Sequence, residues 1–596
     1  MNGVLELWRI LTVGQRRWIV AAQAASLLMA FSTVAGVAAI TPFFAVLGDP
    51  GVIDRSVPLT WLFRHGGFHT ERGFITALGV GFVGVVVITN LVNLLGAYAL
   101  QRIALHIGDD MRALLFMEYL HRDSLYHANT HGTALCNNVA YETERSVVAT
   151  LQNVFILVTQ CVTIALVIGS IGFVNPLAAA AIVSVLIGGY GCIYLLLRQR
   201  IFRAGRLARA LAEQRMKLIL EALSAVKEIA VLHKQAFFQE RFEQASRRAS
   251  RISGYIAAIT LSPRYVMECI AVAGVVGSAL ALSATSRASG QWLAELTFLG
   301  FAVYRLLPAL QQAFAGIVNI RAAQASFAII AADLRRARAT QARPAAAQGV
   351  WHAGPRREIR LEEISFRYSP DAPLALDTVS LSIVPGTVVG IVGPSGCGKT
   401  TLVDILAGLL VPQSGAVRVD DIGVDESNRR SWQSHIAYVP QGFYLLDSTV
   451  AENIALGVAA EDIDRERMLA AARRASLDEF VSRLALGYDE LIGERGVRLS
   501  GGQRQRLGIA RALYTDASVV IMDEATNALD VLTESEVLSA IEGLRGQRTI
   551  ILIAHDMSAL KSCDVIVELV KGRLVRRGSG PSSTAGPPVK AFADAF

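Results

Sequence analysis

The sequence predicts two fold classes joined in one chain, an all-α membrane domain of six spanning helices followed by a soluble α/β domain. Three observations carry that prediction. Hydrophobic residues make up 53% of the 596, mean hydropathy is +0.42, and the excess lies before residue 320. Six apolar runs in that part approach or exceed the ~20 residues a helix needs to cross a bilayer. From residue 359 to about 577, alternating strand and helix signals replace them.

Residues 1–17 mix Leu5, Trp8, Ile10 and Leu11 with Arg9, Arg16 and Arg17, an amphipathic elbow suited to the inner membrane surface. No small-residue cleavage pattern of a signal peptide follows. The spans are expected at residues 18–47, 74–100, 147–174, 176–197, 261–284 and 292–320, within a domain of residues 18–332. The two long connections, 101–145 and 198–260, are rich in Arg and helical in pattern; 207–232, for instance, has no Gly or Pro. Positive-inside places them and both termini in the cytosol, as struts projecting ~30–45 Å at about 1.5 Å per residue. Between residues 198 and 251 thirteen Lys/Arg face five Asp/Glu, a charge asymmetry flanked by apolar runs. That is a cytoplasmic loop of a membrane protein rather than a nucleic-acid surface, so the net charge of +7 implies no nucleic-acid partner. The six cysteines (Cys136, Cys161, Cys192, Cys269, Cys397 and Cys563) lie far apart and form no disulfide or metal framework.

A linker of Ala, Arg, Gln, Pro and Gly is expected over 333–357, the α/β domain over 358–578 and a flexible tail over 579–596. The organising site of the α/β domain is Gly393-Pro394-Ser395-Gly396-Cys397-Gly398-Lys399-Thr400, a G-x-x-x-x-G-K-T phosphate loop. It lies between a strand-like run, Thr387 to Val392, and a helix-like run beginning at Thr401. Its glycines let backbone N–H groups approach the β- and γ-phosphates of ATP. Lys399 adds charge, Thr400 offers a hydroxyl to Mg²⁺, and the helix N-terminus favours the anion. A second apolar strand ends in Asp523 and Glu524. Asp523 suits Mg²⁺, and Glu524 suits the polarisation of an attacking water. His555 closes a third such strand, in reach of a γ-phosphate.

Leu499-Ser500-Gly501-Gly502-Gln503-Arg504-Gln505-Arg506 resembles the signature of ATP-binding cassette (ABC) proteins, with a similar spacing to Asp523. Together with the phosphate loop, Tyr368, Gln441 in Tyr438-Val439-Pro440-Gln441, and His555, it extends the resemblance over residues 359–578. The resemblance implies a RecA-like nucleotide-binding domain using ATP and Mg²⁺. It implies Tyr368 on adenine and nucleotide contacts along Gly393 to Thr401. It also implies Thr400, Gln441 and Asp523 at the metal, and Glu524, His555 and Gln441 in hydrolysis. Ser500, Gly501, Gly502, Gln503 and Asp530 are implied in an interface with a second copy, since the signature acts on ATP held by the opposite subunit. Asn527 stands where the family usually has Ser, and Asp556 where it has Arg; neither departure removes a catalytic group.

Six spans before one nucleotide domain resemble the exporter type, a homodimer working by alternating access. Gly493-Glu494-Arg495-Gly496 resembles the exporter loop that meets the coupling helices, expected near 127–135 and 221–229. Ser262-Pro263-Arg264-Tyr265-Val266-Met267-Glu268 and Tyr304-Arg305-Leu306-Leu307-Pro308 are similar to strings of the PglK-type flippases of lipid-linked oligosaccharides, bacterial inner-membrane proteins. The outer connection at 54–68, with Trp61, Leu62 and Phe63, resembles their small external helix. An arginine inside a span is costly, so Arg264 and Arg305 are candidate contacts for a pyrophosphate. An i, i+4 ion pair to Glu268 is the alternative for Arg264. Thr89 and Asn90 stand in the second span where a further arginine would be sought. The expected substrate is a lipid-linked saccharide, in contact with membrane lipids. A drug, lipid or peptide exporter is the alternative, and an ATP-gated channel or regulatory membrane ATPase a remote one.

Overall fold

In the computed structural model, residues 2–48, 51–174, 176–283, 289–341, 354–442, 444–493, 496–525, 529, 531–554 and 560–579 are described. The chain divides into two units. One comprises Met1–Arg122 and Thr130–Ala342, the other Asp123–Asn129 and Arg343–Phe596.

The first unit is helical because its apolar runs are long and can satisfy their backbone only internally. A short helix α1 (Asn2–Ile10) precedes α2 (Val13–Ala38) and α3 (Ile40–Gly48). The break between the last two falls where Pro42 has no N–H to offer the carbonyl of Ala38. Two small helices, α4 (Val52–Arg55) and α5 (Val57–His65), lead to α6 (Glu71–Leu120), whose first turn Thr70 caps by accepting from the Gly73 N–H. Then come α7 (Ser124–Asn129, in the second unit), α8 (Gly132–Asn137) and two π-helical segments, Asn138–Glu142 and Glu144–Val148. The long helices α9 (Ala149–Val174) and α10 (Pro176–Ser224), the short α11 (Val226–Val231), α12 (Gln235–Ser283) and α13 (Ser289–Gln341) complete the series.

Six long helices therefore stand where six spans are expected. Among the described residues four stretches have the length and apolarity of a span: Val13–Gly36, Glu71–Leu120, Gly132–Gly172 and Gln235–Gly274. A bent pair, Tyr304–Gln324 with Ser326–Gln341, makes a fifth, and α10 contributes the shorter apolar Gly188–Leu197. The expected struts are extensions of the spans themselves, since α6, α10, α12 and α13 each run for 49 to 53 residues, α13 with a bend.

Two boundaries differ from the sequence reading. The first long helix begins at Val13, inside the expected elbow, because Thr12 and Gln15 cap it reciprocally. The elbow's Leu7, Ile10 and Leu11 are buried, and Arg338 of α13 donates to the Ile10 carbonyl (3.1 Å) and to Gln15 (3.1 Å). Lastly, α13 runs to Gln341, nine residues into the expected linker. Ile330, Ala331, Leu334 and Ala337 are buried along it, a helical face that the surrounding Ala and Arg concealed.

Two sheets build the second unit. An antiparallel sheet joins β1 (Ile359–Phe366), β2 (Leu376–Ile383), β4 (Ser414–Val419) and β5 (Ile422–Gly423) in the order β2-β1-β4-β5. The main sheet has the order β10-β9-β3-β8-β7-β6, from β3 (Val388–Val392), β6 (Ile436–Val439), β7 (Val519–Asp523), β8 (Thr549–Ile553), β9 (Val565–Val570) and β10 (Arg573–Ser579). Only β10 is antiparallel there. β3, β7 and β8 are buried at every position, as parallel strands covered on both faces must be. Alternation sends Val388, Val520, Met522, Ile550 and Leu552 into one core, and Val389, Ile391, Val519, Ile521, Ile551 and Ile553 into the other. The helices are α14 (Lys399–Leu406), α15 (Arg429–Gln433), α16 (Val450–Ile454), α17 (Arg465–Arg474), α18 (Asp478–Val481), α19 (Gly501–Tyr514) and α20 (Val531–Glu542).

Candidate functional site

The ends of β3, β7 and β8 lie side by side, the carboxyl edge where parallel sheets bind ligands. From β3 the chain turns through Gly393 to Gly398 into α14. Gly393 has φ +148°, and a Cβ there would lie 2.1 Å from the Leu569 carbonyl oxygen; only glycine fits. Pro394, Ser395 and Gly396 arch outward, exposed. Cys397 contributes backbone, its thiol being buried in the core beneath. Lys399 is buried, and its Nζ donates to the carbonyls of Gly393 (2.8 Å) and Pro394 (3.1 Å), spanning the inside of the arch.

β7 sits two strands from β3, yet the Thr400 hydroxyl donates to Asp523 at 2.9 Å. That oxygen–oxygen separation matches two neighbouring ligands of an octahedral Mg²⁺, about 3 Å apart for metal–oxygen bonds near 2.1 Å. The donor set thus fits the ion. Asp523 is fully buried at the strand end, and Glu524 follows in the left-handed region at φ +51°. A non-glycine residue pays for that conformation, and here both sides of its peptide are held. Its N–H donates to the Ile553 carbonyl (3.1 Å) and its carbonyl accepts from Gln505 (3.1 Å). Its carboxylate accepts from Gln441 Nε2 at 2.8 Å, so two residues 83 apart in sequence form one pair. Tyr368, 40% exposed, stands edge-on to Phe366 (5.1 Å, 87°), and its hydroxyl is 3.0 Å from Thr401 Oγ1.

Ser500 begins α19 with a capping box, accepting from the Gln503 N–H (3.2 Å) while Gln503 Oε1 accepts from the Ser500 N–H (2.8 Å). Gln503 is thereby engaged in shaping the helix start. Ser500 and Gly501 are exposed, and among the described residues no hydrogen bond joins the signature to the phosphate loop of the same chain. His555, Asp530, Asn527, Asp556, Glu494 and Arg495 lie outside the described residues.

Two groups that sequence reasoning passed over support this site. Asp404, on α14, accepts from the Tyr438 hydroxyl at 3.2 Å. Burial pushes its carboxyl up to about 6; the Tyr438 bond opposes the rise, and the charge of Asp523 adds to it. Gln505, four residues beyond the signature's first glycine, orients Glu524 from behind. The signal for both was position alone: one turn past Lys399, and one turn into the signature helix.

In the membrane unit, Arg264 on α12 is exposed within the chain and Arg305 on α13 is half-buried. The Arg264–Glu268 ion pair is not formed; among the described residues neither arginine has an acidic partner, and Arg305 Nε is buried without an acceptor. Thr89 is structural: buried, it donates to the Ser32 carbonyl (3.1 Å) and locks α6 to α2. Asn90 bonds to the Val86 carbonyl of its own helix.

Known proteins share both halves. The profile of the ABC transporter transmembrane region matches residues 19–305, and that of the ABC transporter nucleotide domain residues 376–527. A protein of Burkholderia pseudomallei (strain 1710b) named ATP-dependent lipid A-core flippase is 32% identical over 526 residues, 86% of this chain and 85% of that one. This chain belongs to the ABC transporter family. The Nitrosococcus oceani protein of the same name is 29% identical over 587 residues, 97% of this transporter and 93% of its own length. A bacterial Atm1-family ABC exporter solved with ATP bound shares the fold, with a TM-score of 0.77 over 95% of both chains at 23% identity. The transporter is thus a multi-pass membrane protein of the exporter type, and it hydrolyses ATP to drive transport.

Proposed function

We propose that this transporter works as a homodimer that flips a phosphate-bearing glycolipid across the bacterial cytoplasmic membrane by alternating access. Both termini and the nucleotide domains then lie in the cytosol. The observation that carries the substrate is the pair Arg264 and Arg305, two cations within spanning helices with no carboxylate to neutralise them among the described residues. Unpaired charge at that depth is costly, so it favours an anionic headgroup. The lipid A-core flippases among the relatives favour a glycolipid. A polyprenyl-pyrophosphate saccharide presents the same anionic chemistry and is the finer form of the reading.

In the nucleotide domain, Lys399 would release its two loop carbonyls to meet β- and γ-phosphate oxygens, while Tyr368 stacks on the adenine. Thr400, Asp523 and, across the site, Gln441 would hold Mg²⁺, which neutralises phosphate charge when bound. Glu524 would accept a proton from the attacking water, oriented by the Gln441 bond and by Gln505. Ser500, Gly501 and Gly502, with Asp530, would complete the partner's site. His555 would contact the γ-phosphate.

Transmission to the membrane would use the two short helices at the strut tips. α7 belongs to the nucleotide unit by contact: Leu125 packs on its core and Asp123 pairs with Arg429 of α15 at 2.9 Å. α11 carries exposed Val226 and Val231, an apolar tip suited to a partner's nucleotide domain.

The test is ATPase activity in liposomes with lipid A-core, with a polyprenyl-pyrophosphate saccharide, or with neutral phospholipid alone, beside Arg305→Ala and Glu524→Gln. Stimulation by either anionic glycolipid that Arg305→Ala abolishes supports the reading, and the better stimulant names the headgroup. If neither stimulates, or Arg305→Ala matches wild type, the glycolipid is abandoned for a drug or peptide exporter.

A further inference from the structure

Tyr190 lies on α10, and its ring is packed in a cluster with Ile171 of α9, Met267 of α12, and Leu306 and Phe314 of α13. The residue is only 6% exposed, its ring centroid is 5.7 Å from that of Phe314, and its hydroxyl is sealed from solvent without a hydrogen-bond partner among the described residues. Phenylalanine would fill the same space without burying an unpaired O–H, so packing does not account for the hydroxyl. Its surroundings do. Arg264 is close enough for its charge to act on the phenol; Met267 is one turn beyond Arg264, and Leu306 adjoins Arg305. Two helices, α10 and α12, thus bring a neutral donor within range of one guanidinium group, that of Arg264, which has no acidic partner among the described residues.

Resting on the anionic-headgroup reading above, we propose that the Tyr190 hydroxyl is a further donor of the substrate site, binding a phosphate oxygen beside Arg264. In the conformation seen here the hydroxyl is closed off by α12 and α13. Headgroup and hydroxyl meet only when those helices part from α10. A donor offered in one conformation and withdrawn in another gives the two states different affinities for substrate, which a ligand-driven change of state requires. Tyr190 is in this sense a specificity residue, selecting a headgroup with an acceptor oxygen.

The experiment uses the full-length protein in phosphatidylcholine nanodiscs, with dodecyl phosphate as the probe and dodecyl maltoside as the uncharged control. The half-effective concentration of each on ATPase is measured for wild type, Tyr190→Phe and Arg305→Ala, together with melting temperatures. Tyr190→Phe keeps the ring against Phe314, so its melting temperature should equal or exceed that of wild type. The expected result is a roughly tenfold rise in the half-effective concentration of dodecyl phosphate, the loss of one hydrogen bond to a charged group. The response to dodecyl maltoside should stay unchanged. A Tyr190→Phe response to dodecyl phosphate equal to wild type, no response of wild type to that probe, or a lowered melting temperature overturns the assignment. If the tenfold shift is found while neither glycolipid stimulates the wild type, Tyr190 stands as an anion donor and the glycolipid reading falls.

Discussion

At the residue scale the nucleotide domain depends on how individual carboxylates are held. Glu524, the proposed base, is held by Gln441 in front and Gln505 behind. Glu524→Gln should cut ATP turnover about 10²–10⁴-fold while leaving ATP binding intact, checked by steady-state hydrolysis against nucleotide-binding titration. Asp404 behaves in the opposite sense. Burial raises its carboxyl to about 6, so between about pH 4 and pH 6 the native state holds a proton the unfolded chain has released. Stability from this group is therefore complete below that window, declines as pH rises through it, and stays at the lower level above. Asp404→Asn removes the dependence while keeping an acceptor for Tyr438. It should raise the melting temperature of the nucleotide domain by roughly 2–4 °C at pH 7.5 and lose that advantage by pH 4, read by calorimetry at both values.

At the scale of elements, the membrane unit relies on close helix approach at small residues. A Cβ on Gly108 of α6 would lie 2.3 Å from a methyl of Val148, at the end of the π-helical stretch before α9. Val is stiff at χ1 and cannot swing aside cheaply. Gly108→Ala should thus destabilise the unit by about 1–3 kcal/mol, lowering the thermal transition without changing the nucleotide affinity. The same region is tied by polar contacts: Arg122 pairs with Glu118 (3.1 Å) and Asp333 (3.3 Å), and the Tyr119 hydroxyl donates to Asp333 (3.0 Å). α6 and α13 are held together there beyond their apolar spans, consistent with struts that carry movement as rigid bodies.

At the scale of the whole molecule, the exposed signature and the single nucleotide domain predict complementation between subunits. A heterodimer of a Lys399→Ala subunit with a Ser500→Arg subunit should keep one intact site, because both lesions fall in the other. A heterodimer of wild type with the double variant should keep none. ATP hydrolysis by doubly tagged, purified heterodimers checks this, and equal activity of the two would contradict a signature acting in trans. Arg429→Glu, which breaks the pair with Asp123, should leave basal hydrolysis near wild type and lower substrate stimulation, measured in liposomes.

Sequence alone determined the order of the two units and the six long helices, and it named the candidate phosphate loop, because each is encoded in contiguous residues. An apolar run of sufficient length must become a helix in lipid, and a phosphate loop between a strand and a helix carries its geometry in its own backbone. It placed Tyr368, Lys399, Thr400, Asp523 and Glu524 without knowledge of the packing. It did not show where α13 would stop, since an Ala- and Arg-rich stretch reads as tether or helix until a neighbour buries one face. Nor did it show Asp404 against Tyr438, 34 residues away, or Tyr190 within range of Arg264. Those meetings depend on the register of a helix against the strand or helix it packs on, which side-chain packing sets and no local stretch of sequence contains.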